Sequence, residues 1–225
     1  MGGMDSTRRL VDLSHPIAEG MTTYPGLPGP ELSDHLTRDA AEAQYGPGVT
    51  FHVGRISMVA NTGTYVDSPW HRYPDDADLA GLRLDQIADL DGLVLDVASS
   101  GRRAVDVDDL RGLDVGGRAL LVHTGWDRHW RTPAYGVDAR FVTRQSAEWL
   151  VDQNAALVGI DSVNIDDMED PSRPAHSLLL AADIPVVEHL RGLGQLPGAG
   201  FRFHAVPAPV ERFGTFPVRA YAVVG

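Results

Sequence analysis

Short stretches in which apolar residues alternate with polar ones, or run unbroken for four to seven positions, recur along this chain. Such patterning predicts strands at Gly54–Ala60, Gly92–Val97, Ala119–His123, Ala156–Asp161, Pro185–Leu190, Phe201–Val206 and Arg219–Val224. Helical spacing is confined to fewer places. Between Val142 and Asn154, Ala147, Leu150 and Val151 fall on one face, and Thr143 stands where an N-cap is needed. Shorter helices are predicted over Val107–Leu113 and Ala175–Ala182. Strands outnumber helices without alternating strictly with them. That argues for a mixed sheet, α/β or α+β, rather than a doubly wound parallel one. The Pro- and Gly-rich reaches Tyr24–Pro30 and Gly192–Gly200 are too short to act as domain linkers. One domain over residues 1–225 is expected, with residues 1–9 a flexible N-terminal segment.

Composition narrows the chemistry. The 225 residues carry a formal charge of −12, which disfavours nucleic acid and anionic membranes as partners. No apolar run approaches the roughly 20 residues of a membrane span, and the N-terminal MGGMDSTRRL lacks the apolar core of a signal peptide, so a cytoplasmic protein is expected. There is no cysteine, so any metal must use nitrogen and oxygen ligands. There is also no lysine, which removes Schiff-base catalysis and the P-loop lysine.

Four segments carry candidate chemistry. In NTGTYVDSPWH, Asp67 and His71 are four apart in a loop stiffened by Pro69, a spacing that can direct both at one centre. In RPAHSLLLAADIPVVEHL, His176 opens an apolar helix and Glu188 ends a strand-like run. In VGIDSVNIDDMEDP, Asp161 follows an apolar strand, a common position for an active-site acid. The acids after it, Asp166, Asp167, Glu169 and Asp170, read as a solvated loop. In HTGWDRHW, His123 and Trp126 suit a substrate pocket, although Trp126 and Trp130 equally suit a core. For each pair the plain reading is structural hydrogen bonding or solvated surface. No nucleophile elbow, P-loop, H-E-x-x-H or dinucleotide fingerprint occurs.

Taken in order, VDLSHPIAEGMTTYPG, NTGTYVDSPWH, LLVHTGWDRHW, LVGIDSVNID, HSLLLAADIPVVEHLRGLGQLP and the closing FRFHAVPAPV and GTFPVRAYAVV resemble the cyclase-like metal hydrolases, the family of bacterial kynurenine formamidase and isatin hydrolase. The resemblance implies a compact β/β/α fold with a mixed sheet, a homodimer or higher oligomer, and hydrolysis of an amide, formamide, lactam or lactone bond in a small aromatic substrate. The family loop has the form H-x-G-T-H-x-D-x-P-x-H. Asp67 and His71 match its Asp and last His, and His176 and Glu188 match a downstream ligand pair, whereas Asn61 and Tyr65 stand where the leading histidines would be. The carry-over implies one divalent metal per chain, zinc or manganese, on His71, His176, Glu188 and Asp67. His71, Asp67 and Tyr65 are the expected catalytic groups, with Asp161 as a further candidate base. Trp70, Trp126, His123 and Tyr24 are expected to line the substrate pocket. The competing expectations are a cyclase acting on a polyketide-type metabolite and a metal-free small-molecule binder.

Overall fold

The computed structural model describes residues 8–225. The N-terminal segment expected to be flexible therefore falls, up to residue 7, outside the described residues. The chain opens with β1 (Arg9–Asp12), then a hairpin of β2 (Glu31–Leu36) and β3 (Val53–Ser57) interrupted by helix α1 (Arg38–Tyr45), then β4 (Tyr65–Asp67). Helix α2 (Leu84–Ile87), β5 (Leu90–Asp96), β6 (Ala104–Val105), α3 (Val107–Leu110) and β7 (Ala119–His123) follow. After β8 (Phe141–Val142) come α4 (Arg144–Asp152), β9 (Leu157–Ile160), α5 (Pro174–Ala181) and β10 (Val186–Glu188). Strands β11 (Ala199–His204), β12 (Thr215–Pro217) and β13 (Tyr221–Val224) complete the chain.

Nine strands form one mixed sheet in the order β1-β13-β11-β5-β7-β9-β10-β4-β12. Its centre, β5-β7-β9-β10, is parallel, and both flanks are antiparallel. This is the mixed α+β arrangement the patterning predicts. The central strands are apolar on both faces because both are covered. Leu120, Val122, Val158 and Ile160 face a layer containing Leu110, Ala147, Leu150, Leu179 and Leu180 from α3, α4 and α5. Ala119, Leu121, Leu157 and Val187 face the other way, onto Leu13, Val66, Leu79, Phe201 and Phe203. Gly92 is required between β5 and β11, since a Cβ there would lie 2.1 Å from the ring of its register partner Phe201.

Two departures from the sequence reading matter. The predicted strand Gly54–Ala60 is observed as β3, paired only with β2 in a separate exposed two-stranded ribbon. Leu32, Tyr45, Phe51 and Ile56 of this arm are all solvent-exposed. The stretch around Tyr65, read as a ligand loop, contributes a short strand next to the edge of the sheet instead. β4 has only three residues, too few to display the alternation that marks a strand. Thr143 does cap α4, accepting from Ser146 N at 3.2 Å.

Candidate active site

The candidate groups meet at the end of the β9-β10-β4-β12 half of the sheet. β10 and β4 pair antiparallel with Val186 opposite Asp67 and Glu188 opposite Tyr65, so two carboxylates and a phenol share one face of the sheet. His71 follows on a 3-10 turn begun by Pro69, whose fixed φ suits the first helical position. His176 lies in the first turn of α5. Gly214 lets the segment before β12 press onto that 3-10 turn, because a Cβ there would sit 2.4 Å from the backbone of His71.

The spacing of the donor atoms is informative. His176 Nε2 lies 3.6 Å from Asp67 Oδ2 and 3.6 Å from Glu188 Oε1, just beyond hydrogen-bond range for both. Two ligand atoms on a tetrahedral ion with bonds of about 2.1 Å stand about 3.4 Å apart. Asp67, His71 and His176 each offer an atom within 4.8 Å of the others. Asp67 is fully buried, yet its Oδ2 has no hydrogen-bond partner. An orphaned carboxylate oxygen facing an unbonded imidazole nitrogen is the arrangement a divalent cation would complete, and it is costly without one.

The neighbouring groups orient these donors. Asp166 Oδ2 lies 2.7 Å from His176 Nδ1, and the same carboxylate accepts from the amides of Ala175 and His176. A carboxylate only accepts, so His176 Nδ1 carries a proton toward Asp166. In the neutral imidazole this leaves the Nε2 lone pair directed at the cluster. This is the carboxylate–histidine pairing typical of metal ligands. Asp166, read from sequence as solvated, is 2% exposed. Four acids close together looked like a solvated run, and only the fold shows that the first turns inward. Its neighbour Asp167 does lie toward the surface, paired with Arg103 at 3.1 Å.

Thr215 was not singled out from the sequence. Its hydroxyl donates to Asp67 Oδ1 and lies 2.8 Å from His71 Nδ1. A hydroxyl has one proton to give, so His71 must donate from Nδ1 to Thr215, and in the neutral ring Nε2 then keeps a free lone pair. A second ordered chain runs through the floor. Tyr65 donates to Glu188 Oε2 at 2.6 Å, His189 Nε2 lies 3.2 Å from the Tyr65 oxygen, and Tyr135 lies 2.8 Å from His189 Nδ1. With Glu188 ionised, the protons run in one direction, Tyr135 to His189 to Tyr65 to Glu188. The Ile165 amide closes the set on Glu188 Oε1 at 2.6 Å.

Burial and charge oppose one another here. Burial pushes Glu188 up to about 7, despite His176 and its two hydrogen bonds. Burial alone would raise Asp67 as well, but His71, His176 and Thr215 outweigh it and hold that carboxyl low. For His176 burial favours the neutral ring, yet Glu188, Asp166 and Asp67 together raise its affinity for a proton well above normal. A metal at this point would displace that proton. The Tyr65 phenol, buried and beside Glu188 and Asp67, is held well above 10 and stays protonated.

The cluster opens into a cavity of about 420 Å³ lined by Tyr24, Asn61, Tyr65, His71, His176 and Glu188, with Arg72 and Arg173 also on its wall. Asn61 thus lines the cavity beside the Tyr65 phenol. Trp70, His123 and Trp126 are not among its lining residues. Trp70 sits half-buried, its amide bonded to Ala77 O at 3.0 Å. Trp126 donates from its indole to Tyr135 O at 2.8 Å and packs in a small cluster with Tyr135, Ala139 and Val163. His123 lies between Asp96 at 3.1 Å and Asp161 at 4.0 Å. Asp161 is fully buried and accepts from Thr124 N, Thr124 Oγ1 and Gly125 N, pinning the turn after β7.

A family model described as "Putative cyclase" matches residues 11–167. The chain belongs to that cyclase family. Among its relatives, the kynurenine formamidase of Erythrobacter litoralis (strain HTCC2594) is 29% identical over 215 residues, covering 93% of this chain and 91% of the relative. The kynurenine formamidase of Geobacillus thermodenitrificans (strain NG80-2) is 27% identical over 217 residues, covering 93% and 95%. Isatin hydrolase A from Ralstonia solanacearum superposes with a TM-score of 0.81 at 20% identity, over 97% of this chain and 92% of that one. The fold of this family member is therefore that of the cyclase-like hydrolases. No described helix is long and apolar enough to cross a membrane.

Proposed function

We propose that this cyclase-family member is an arylformamidase-like hydrolase that cleaves an amide, formamide, lactam or lactone bond of a small aromatic substrate. One divalent metal, zinc or manganese, would be held by Asp67, His71 and His176, with Glu188 Oε1 beside His176. The observation that carries this reading is the convergence of Asp67 Oδ2 and Glu188 Oε1 on one unbonded imidazole nitrogen, each at 3.6 Å. The kynurenine formamidase relatives support the reaction class.

A divalent metal held here would supply a Lewis acid and make a water bound to it far more acidic. The chain's own residues do the rest. Asp166 fixes the tautomer of His176, and Thr215 fixes that of His71. Glu188, set on the cavity wall, is the carboxylate placed to take a proton and return it to a leaving amine. Tyr65 gives its single proton to Glu188, so in this arrangement it positions that carboxylate. Tyr24 and Asn61 face the space where an aryl ring would sit. The exposed apolar side chains of the β2–β3 arm support a homodimer or larger assembly, which sedimentation would read.

Metal content per chain, measured by mass spectrometry on untagged protein never exposed to chelator, tests the reading. About one zinc or manganese per chain is expected, lost together with aryl formamide or lactone turnover in His176→Ala. Absence of metal after incubation with excess zinc or manganese would overturn it.

A further inference from the structure

We propose that Asn164 is a catalytic residue of this site, donating from Nδ2 to the oxygen of the scissile carbonyl as negative charge develops there; this rests on the hydrolase reading above and adds a group to the same cavity. Asn164 lines the cavity with Tyr65, His71, His176 and Glu188, and it is only 8% exposed. Three successive residues serve the site from one stretch of backbone. The Ile165 amide donates to Glu188 Oε1 at 2.6 Å, and that oxygen lies 3.6 Å from His176 Nε2. The Asp166 carboxylate holds His176 Nδ1 at 2.7 Å. Asn164 comes directly before them, so its side chain springs from the same backbone that contacts the donor cluster.

Chemistry fixes which way the amide points. The backbone N–H of Asp166 lies 2.9 Å from one end of the Asn164 side chain, and since a backbone amide only donates, that end is Oδ1. The other end is the NH2 group with its two protons. Among the described residues no group accepts from it, and the atom is not sealed in the interior. A turn of this kind needs only the acceptor, which an aspartate would supply equally well. The donors are surplus to the turn. Other donors near the cluster are already engaged. Tyr65 and the Ile165 amide give their protons to Glu188, and Thr215 gives its own to Asp67. His176 and His71 use Nδ1 toward Asp166 and Thr215. A free neutral donor on this wall suits a carbonyl oxygen. When a water oxygen bonds to the carbonyl carbon, the C=O π pair moves onto that oxygen. The pair returns as the bond to the leaving atom breaks, and the leaving atom takes the proton the water gave up. A donor already fixed where this charge appears stabilises it without reorganising.

The test uses formanilide and the zinc-loaded enzyme. Asn164→Asp keeps the acceptor for the Asp166 amide and removes both donors, whereas Asn164→Ala removes the acceptor as well. In both, kcat is expected to fall about 100–1000-fold, with KM changed less than about threefold and zinc per chain unchanged. A loss confined to Asn164→Asp would belong to the added charge, and a loss that follows zinc content would belong to the metal site; either overturns the inference. Should Asn164→Ala not fold, Asn164→Asp decides alone. Binding is read separately by calorimetry, with 2,2,2-trifluoroacetophenone, whose hydrate resembles the tetrahedral state, against acetophenone. A preference for the hydrated ketone that falls about tenfold or more in the variants, without turnover of formanilide by the wild type, supports this inference while sinking the hydrolase reading. Turnover by the wild type that either variant matches within about threefold overturns the inference and leaves the hydrolase reading standing. Neither turnover nor preference in the wild type overturns both.

Discussion

Tyr65 and Glu188 are register partners across β4 and β10, and the phenol donates a 2.6 Å hydrogen bond to Oε2 of the carboxylate. Both side chains are at most 1% exposed. The family pattern would place a histidine at position 65. Here a neutral donor stands there instead, and it holds the acid that faces the cavity. Tyr65→Phe keeps the ring and removes this bond together with the one the hydroxyl accepts from His189. It should cost about 1–3 kcal/mol of stability, since a buried carboxylate loses a donor. The same loss favours the protonated acid, so the Glu188 pKa should rise from about 7. The acid limb of the pH–rate profile should therefore move to higher pH, and an unmoved limb would remove Glu188 from the proton-transfer role.

Asp166 acts on His176 from behind. Asp166→Asn preserves an oxygen for the Ala175 amide, so α5 should remain capped. The imidazole, however, loses its charged partner at 2.7 Å. Metal affinity should fall about 10–100-fold, read by competition with a chromophoric chelator, with a much smaller change in unfolding free energy. Equal losses in both would mean that Asp166 only supports the helix.

The Asp67–Thr215–His71 chain predicts a contrast between two conservative changes. Thr215→Val keeps the shape but removes the hydroxyl, whereas Thr215→Ser keeps it. We expect kcat to drop about 10–100-fold in Thr215→Val and to recover in Thr215→Ser. Nitrogen NMR of His71 should show a proton on Nδ1 in the wild type that is no longer fixed in Thr215→Val. An Nε2–H tautomer in the wild type would overturn the arrangement.

Much of this fold was legible beforehand because the parallel centre is doubly buried. Ala119–His123 and Leu157–Ile160 are nearly unbroken apolar runs, and only a covered strand reads that way. The candidate cluster of Asp67, His71, His176 and Glu188 was legible as two spaced pairs that the resemblance also names. The residues that orient them were not. Thr215 sits in a three-residue edge strand, where a lone hydroxyl gives no periodic signal, and it meets Asp67 across 148 positions of sequence. Asp166 was hidden among other acids. The aromatic-rich segment after β7 promised a pocket, yet Trp126 spends its indole proton on Tyr135 O. Aromatic residues near a strand end serve a core as readily as a cavity, and spacing cannot separate the two.

His189 supplies a stability test whose sign is set by burial. It is fully buried beneath Tyr65 and Tyr135, and burial depresses its pKa from 6.5 to about 3. His15, stacked on Trp130 at 4.0 Å, is similarly held down to about 4. For a group with a depressed folded pKa, both states are neutral above 6.5 and its contribution is complete there. As pH falls, the unfolded chain takes up a proton that the folded chain refuses. Stability should then be lost at up to about 1.4 kcal/mol per pH unit for each histidine. Glu188 and Asp161, lifted by burial to about 7 and about 6, act with the opposite sign in the same window. The decisive quantity is therefore a difference between two proteins. His189→Asn retains the left-handed backbone at φ 56° and removes the titration. It should be less stable than wild type at pH 7.5, because the Tyr65 and Tyr135 partners are lost. That deficit should shrink by about 1.4 kcal/mol per unit as pH falls from 6 to 4, measured by urea unfolding at each pH. A constant deficit across that range would mean that His189 is protonated in the folded protein, and the proton order assigned to the Tyr135–His189–Tyr65–Glu188 chain would have to be abandoned.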